Sequence, residues 1–278
     1  MSGLTKRAGL AALFMAIAVS ARAETPLERG TYLMRSIVAC GNCHTPQGPN
    51  GPLPGMELAG GLKITDDAFT AYTSNLTPDK ETGIGNWSDA ELIKAIREGK
   101  RPDGSTIGPP MPFGMYRNMA DDDVKAIIAY LRSVKPVSNR IEKSSYSFPL
   151  PPAYGPPVET ITAVAPTDKA YGAYLAGPLG HCMECHSTPG PHGAPDVANA
   201  LGAGGMQFKG PWGTSISSNL TPHGIGSYSD AALRKVITTG VKPDGSRLKP
   251  PMGIAYYANL RPSDLTALIG YLRSLPAK

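Results

Sequence analysis

Apolar positions in this chain fall into short helical stripes rather than alternating runs. Val124, Ile127, Ile128 and Leu131 recur at helical intervals, which predicts an amphipathic helix over 121–134. A second is expected over 263–275, and shorter helices over 27–39 and 169–175. Ser88 and Ser229 suit the N-cap of a middle helix, with Glu91 completing a capping box in the first case only. These helices should stop near Gly99 and Gly240, where the chain turns through Pro-Asp-Gly. Strand patterning is weak throughout. The expected fold class is all-α, with long loops joining the helices.

The helices come in two matching sets. Gly83-Ile84-Gly85 returns as Gly224-Ile225-Gly226, Pro102-Asp103-Gly104-Ser105 as Pro243-Asp244-Gly245-Ser246, and Tyr130-Leu131-Arg132-Ser133 as Tyr271-Leu272-Arg273-Ser274, all at an offset of 141. Ser74-Asn75-Leu76-Thr77-Pro78 returns at 218–222. Gly30 and Gly172 share one position on the first helices, where a missing side chain lets the last helix cross closely. This is a duplicated unit. The division expected is a first domain at 24–135, a linker at 136–166 and a second domain at 167–278. Pro149, Pro151, Pro152, Pro156 and Pro157 make that linker extended and fairly stiff.

Residues 1–23 read as a secretory signal: Lys6 and Arg7, an apolar run at 8–19, and the small-residue site Ala21-Arg22-Ala23. Cleavage after Ala23 sends the chain to the periplasm. The apolar run is shorter than the roughly 20 residues of a membrane span. The formal charge of +5 loses Lys6, Arg7 and Arg22 with the signal, leaving 24 basic against 22 acidic residues. Nothing in that balance points to nucleic acid. Arg97, Lys100, Arg101 and Lys242 read as a solvated face, with docking of an acidic partner as the alternative.

The candidate chemistry lies in Cys40-Gly41-Asn42-Cys43-His44 and Cys182-Met183-Glu184-Cys185-His186. C-x-x-C-H is the attachment pattern of a c-type haem: two thiols bond the haem vinyl groups and the histidine becomes the proximal iron ligand. A zinc half-site or a redox dithiol explains C-x-x-C, but neither needs a histidine after the second cysteine in both copies. All four cysteines are thereby used. Two haem c groups are expected, on Cys40/Cys43 and Cys182/Cys185.

Ten methionines compete for the sixth iron position, and the duplication selects among them. Met111 aligns with Met252, each after two prolines, whereas Met115 aligns with Tyr256, Met119 with Leu260 and Met206 with Leu62. The preceding prolines restrict the backbone that presents the thioether. His181, His192 and His223 have no repeated partners and read as ordinary loop residues. Trp87 and Tyr228 share a repeat position, and their ring donors suit either a haem propionate or simple packing. Ser74-Asn75 and Ser218-Asn219 suit local bonding in the loop beside the haem.

With their second-half counterparts, the segments at 40–44, 74–78, 83–87 and 109–112 resemble the class I cytochrome c domains of bacterial multihaem cytochromes. They are similar in particular to the cytochrome subunits serving periplasmic alcohol, gluconate and related dehydrogenases. The resemblance implies two tandem class I cytochrome c-like domains, each wrapped around one covalent haem. Its ligand pairs would be His44 with Met111 and His186 with Met252. It implies a non-enzymatic electron carrier between a periplasmic dehydrogenase or quinol-oxidising donor and a cytochrome or oxidase acceptor. Many such subunits carry three haems and a membrane helix, so two haems without one favour a carrier that is not integral to the membrane. A dihaem peroxidase with one open haem is the rival, though both copies retain the Pro-Pro-Met segment. A sulfur-oxidising or gas-binding haem protein fits less well.

Overall fold

The structure is a computed structural model that describes residues 23–190 and 193–278. The signal peptide expected at 1–23 lies outside the described residues except for Ala23, and His192 lies outside them too.

In the first half, α1 (Pro26–Arg35) opens on a full capping box between Thr25 and Glu28, and α2 (Gly41–His44) carries the first attachment motif. The middle helix α3 (Asp89–Glu98) is capped by Ser88 and Glu91 and stops at Gly99, in the left-handed region at φ 65°. A short α4 (Phe113–Tyr116) follows the Pro-Pro-Met segment. The last helix, α5 (Asp121–Ser133), buries Val124, Ile127, Ile128 and Leu131. It crosses α1 at Gly30, where an added Cβ would lie 1.9 Å from the Ala126 carbonyl oxygen.

The second half repeats this order. Its first helix, α6 (Tyr171–Tyr174), runs into a π-helical turn at Leu175–Leu179. Pro178 has no N–H for an ordinary helical bond, and the Gly180 N–H reaches back to the Leu175 carbonyl instead. Then come α7 (Cys182–His186), α8 (Pro222–Ile225), α9 (Asp230–Thr239), α10 (Ile254–Tyr257) and α11 (Pro262–Ser274). Gly172 repeats the close crossing, with the Ala267 carbonyl oxygen 2.2 Å from where a Cβ would stand.

The all-α expectation is wrong. Among the described residues are three small antiparallel sheets. β1 (Gln47–Gly48) pairs with β2 (Gly51–Pro52), and β3 (Lys63–Asp66) with β4 (Phe69–Tyr72). β5 (Ser145–Tyr146) adds to β4, and β6 (Gln207–Gly210) pairs with β7 (Gly213–Ile216). The long loops after the attachment motifs must satisfy their own backbone N–H and C=O groups, and tight hairpins do so locally. Strands of two to four residues are too short for alternation to stand out.

The proline-rich segment is an ordered strap on the first half. Tyr146 donates to the Pro109 carbonyl at 3.0 Å and Tyr154 to the Ile107 carbonyl at 2.9 Å. The Tyr154 ring stacks on Phe113 with centroids 4.9 Å apart. Arg117 donates to the Tyr154 and Pro156 carbonyls. Arg97 is not on a solvated face: it is 3% exposed, bonded to Asp121 at 2.7 Å and to the Glu159 carbonyl of the strap. Burial under the strap leaves its charge to Asp121, whose other partner is the Ile161 N–H.

The two halves share one apolar core and meet around an approximate two-fold relation. Tyr32 of α1 donates to Asp264 of α11 at 2.6 Å, and Tyr174 of α6 donates to Asp123 of α5 at 2.6 Å. Each tyrosine also accepts a backbone N–H, from Arg261 and Ala120 respectively. The relation is broken at the next shell. Asp123 has Arg29 at 2.8 Å, whereas Asp264 has Tyr171 at 3.3 Å in the equivalent place. Among the described residues no helix is long and apolar enough to cross a membrane.

Asp264 draws its strongest bond from Tyr32 and has no cation in Arg29's place, so Tyr32→Phe should destabilise more than Tyr174→Phe. The expected costs are about 3 and about 1.5 kcal/mol, the range for hydrogen bonds to charged groups, read from denaturant unfolding of the holoprotein. Burial first, then the facing carboxylates, raise the acid constants of Tyr32 and Tyr174 above the ordinary 10.0. Their stabilisation is therefore complete below pH 10 and lost as pH rises through the raised folded values. Unfolding midpoints measured from pH 9 upward should fall in the natural protein and fall less steeply in the double phenylalanine variant.

Candidate haem sites

Each attachment motif is a single helical turn, which puts the two cysteines three residues apart on one face. The residue before each first cysteine is left-handed, Ala39 at φ 49° and His181 at φ 39°. The four cysteines are free. Burial pushes the Cys40 thiol up to about 12 and Cys182 up to about 11. Cys185 is pushed to about 12, by burial and then by Glu184, Cys182 and, from the other half, Cys43. A redox dithiol needs a lowered thiol; these are raised. Both motifs lie beside the opposite half: the Asn42 amide donates to the Pro251 carbonyl, and the ring of His181, just before Cys182, sits edge-on to Tyr116.

His44 and His186 are oriented identically. The Nδ1 atom of His44 lies 2.8 Å from the Ser74 carbonyl oxygen, and that of His186 lies 2.7 Å from the Ser218 carbonyl oxygen. Burial lowers both imidazole constants, so the rings are neutral at neutral pH. With Nδ1–H donated to the carbonyl, the Nε2 lone pair is left for a metal. Gly60 and Gly204, at φ 73°, bring the carbonyl-bearing loops in: their N–H groups bond the His44 and His186 carbonyls at 2.7 Å. A Cβ on Gly60 would lie 2.5 Å from the Thr73 oxygen.

Those loops are laced from behind. Asn75 accepts from the Thr77 N–H and hydroxyl and donates to the Val137 carbonyl at 2.8 Å. Asn219 does the same with Thr221 and the Lys278 carbonyl at 2.7 Å. Arg132 donates to the carbonyls of Ile84 and Trp87 and to Asp89, and Arg273 to those of Ile225 and Tyr228 and to Asp230. The repeat displayed these residues, but only the partners reveal their work. Co-repetition of Asp89/Asp230 with Arg132/Arg273 was the available signal. Trp87 and Tyr228 are half-buried against the core.

Met111 and Met252 are half-buried, pack against the core, and follow cis Pro109–Pro110 and Pro250–Pro251 bonds. The short helices just after them, α4 and α10, bury Tyr116 and Tyr257. Met119 is fully buried packing. His223 is exposed. The His181 ring sits edge-on to Tyr116 at 5.6 Å, and burial lowers its constant to about 4.

Paired half-buried thiols, a neutral histidine held through Nδ1 and a half-buried methionine loop are the donor set of a covalent haem, and these residues fit it. Residues 28–135 match the cytochrome c family, so the first half contains a cytochrome c domain, the haem-iron domain of electron transport. It is 35% identical over 268 residues to the fructose dehydrogenase cytochrome subunit of Gluconobacter japonicus, across 91% of this chain and 53% of that protein. Against the cytochrome c subunit of alcohol dehydrogenase (quinone) from Gluconobacter oxydans it is 33% identical, across 91% and 55%. A dihaem cytochrome c-type protein of Cereibacter sphaeroides is 29% identical, across 86% and 82%. The chain thus spans little more than half the length of the two dehydrogenase subunits.

Replacing Asn75 by Ala removes one of the ties between the Ser74 loop and the strap. A cost of about 1–3 kcal/mol is expected for leaving the N–H of the buried Thr77 without its acceptor. Thermal unfolding of the holoprotein, followed at the haem absorption, measures it.

Proposed function

We propose that this chain is a periplasmic dihaem cytochrome c that passes single electrons and is not itself a catalytic subunit. One haem c is attached through Cys40 and Cys43, with His44 and Met111 as axial ligands. The other is attached through Cys182 and Cys185, with His186 and Met252. Each group occupies one domain, at 24–135 and 167–278, and the strap at 136–166 joins them. The observation that carries this reading is the duplicated histidine geometry. Two motifs 142 residues apart present the same neutral ring on the same loop carbonyl.

When bound, haem supplies a one-electron iron couple, and histidine with methionine raises its potential relative to two histidines. The chain's own residues keep that couple fast by staying still. Ser74 and Ser218 fix the ring planes, and the proline pairs restrict the methionine loops. A filled sixth position leaves no iron site for peroxide or gas. Two of the relatives named above are cytochrome subunits of fructose and alcohol dehydrogenases, which supports a dehydrogenase or quinol-linked donor here; the proposed acceptor is a cytochrome or oxidase.

The purified holoprotein should contain two haems per chain by pyridine haemochrome assay, and Cys182→Ala with Cys185→Ala should leave one. Both ferric haems should contribute to the red charge-transfer band of methionine ligation, and neither reduced haem should bind carbon monoxide. Carbon monoxide binding at one haem of the natural protein would instead support a peroxidase-like open site. Met111→Ala is expected to halve the band and admit one carbon monoxide.

A further inference from the structure

The two methionine loops are tied down by the same logic but from different places. In the second half, the Pro250 carbonyl accepts from the Ser215 hydroxyl at 2.7 Å, and the Met252 carbonyl accepts from the Ile254 N–H at 3.0 Å. The carbonyl between them, on Pro251, accepts from the Asn42 side-chain amide at 2.9 Å. Asn42 belongs to the other half and stands between Cys40 and Cys43, inside the first attachment motif. Its amide carbon also lies 3.5 Å from where a Cβ on the buried Gly253 would stand. One side chain therefore spans the backbone on both sides of Met252. Tyr256 supports the contact, its hydroxyl placed 2.2 Å from where a Cβ on Gly41 would be.

The contact runs one way. The residue equivalent to Asn42 is Glu184, and an ionised carboxylate has no N–H to give a proline carbonyl. Gly41 is replaced by the buried Met183, and Tyr256 by Met115. In the first half, the Pro109 carbonyl is held by Tyr146 of the strap and the Met111 carbonyl by the Phe113 N–H.

We propose that Asn42 is a positioning residue for Met252: from inside the first haem's attachment turn, it fixes the loop that presents the second haem's sixth ligand. The inference rests on Met252 being that ligand. It makes the two haems unequal, since the second haem's ligand field depends on the first half, while the first half ties its own loop with its own strap. Asn42 touches neither iron nor thioether in this role. It acts through the Pro251 carbonyl.

The test uses ferric holoprotein and added imidazole, which displaces methionine from haem iron and removes the charge-transfer band. In a Met111→His background the remaining band reports the second haem, and in a Met252→His background it reports the first. Asn42→Asp keeps the volume and loses the donor. It should raise the imidazole affinity of the second haem about fivefold, the effect of one hydrogen bond of ordinary net strength, and lower that haem's potential. The first haem should keep its affinity and potential, and Asn42→Gln, which restores an amide donor, should recover part of the loss. Equal changes at both haems would mean general loosening and would overturn the proposal, as would a change at the first haem alone or none at either. If Met252→His leaves the natural band at full strength, the ligand assignment itself fails, and this inference falls with it for that separate reason.

Discussion

Two buried carboxylates hold the halves face to face. Asp123 and Asp264 are nearly solvent-free, and each takes a short hydrogen bond from a tyrosine of the opposite half. A buried carboxylate short of donors is costly, so with the halves packed each one depends on the tyrosine from across the interface as well as on Arg29 or Tyr171 of its own half. This constraint sets the position of α1 against α11 and of α6 against α5. It also keeps each attachment turn beside the opposite half, Asn42 on the Pro251 carbonyl and His181 against Tyr116.

Near-symmetry of this kind leaves room for division of labour. Where the repeat is kept, the roles are structural and shared: the glycine crossings, the Asn-Leu-Thr-Pro loops behind each histidine, and the arginines on the helix-turn carbonyls. Where it is broken, the two halves diverge in what surrounds them. Arg29 gives way to Tyr171, Asn42 to Glu184, and Met115 to Tyr256. The strap stabilises only the first half, through Tyr146, Tyr154, Arg97 and Arg117.

The sequence by itself determined the chemistry. Cysteine spacing with the following histidine is a covalent requirement of haem attachment, and it is read within five consecutive residues. Helix caps and stops at Ser88, Gly99, Ser229 and Gly240 were equally legible, because each depends on one side chain and its neighbours. Duplication paired Met111 with Met252.

Tertiary structure decided the rest. The hairpins at 63–72 and 207–216 arise from the need of long loops to satisfy their backbone, which leaves almost no mark in strands of four residues. Arg97 looked solvated because charge usually is, and only the strap arriving from 62 residues away buries it. The Tyr32–Asp264 and Asn42–Pro251 bonds join residues 232 and 209 apart. No local pattern encodes such a pairing, because its energy exists only when two separately folded surfaces exclude water between them.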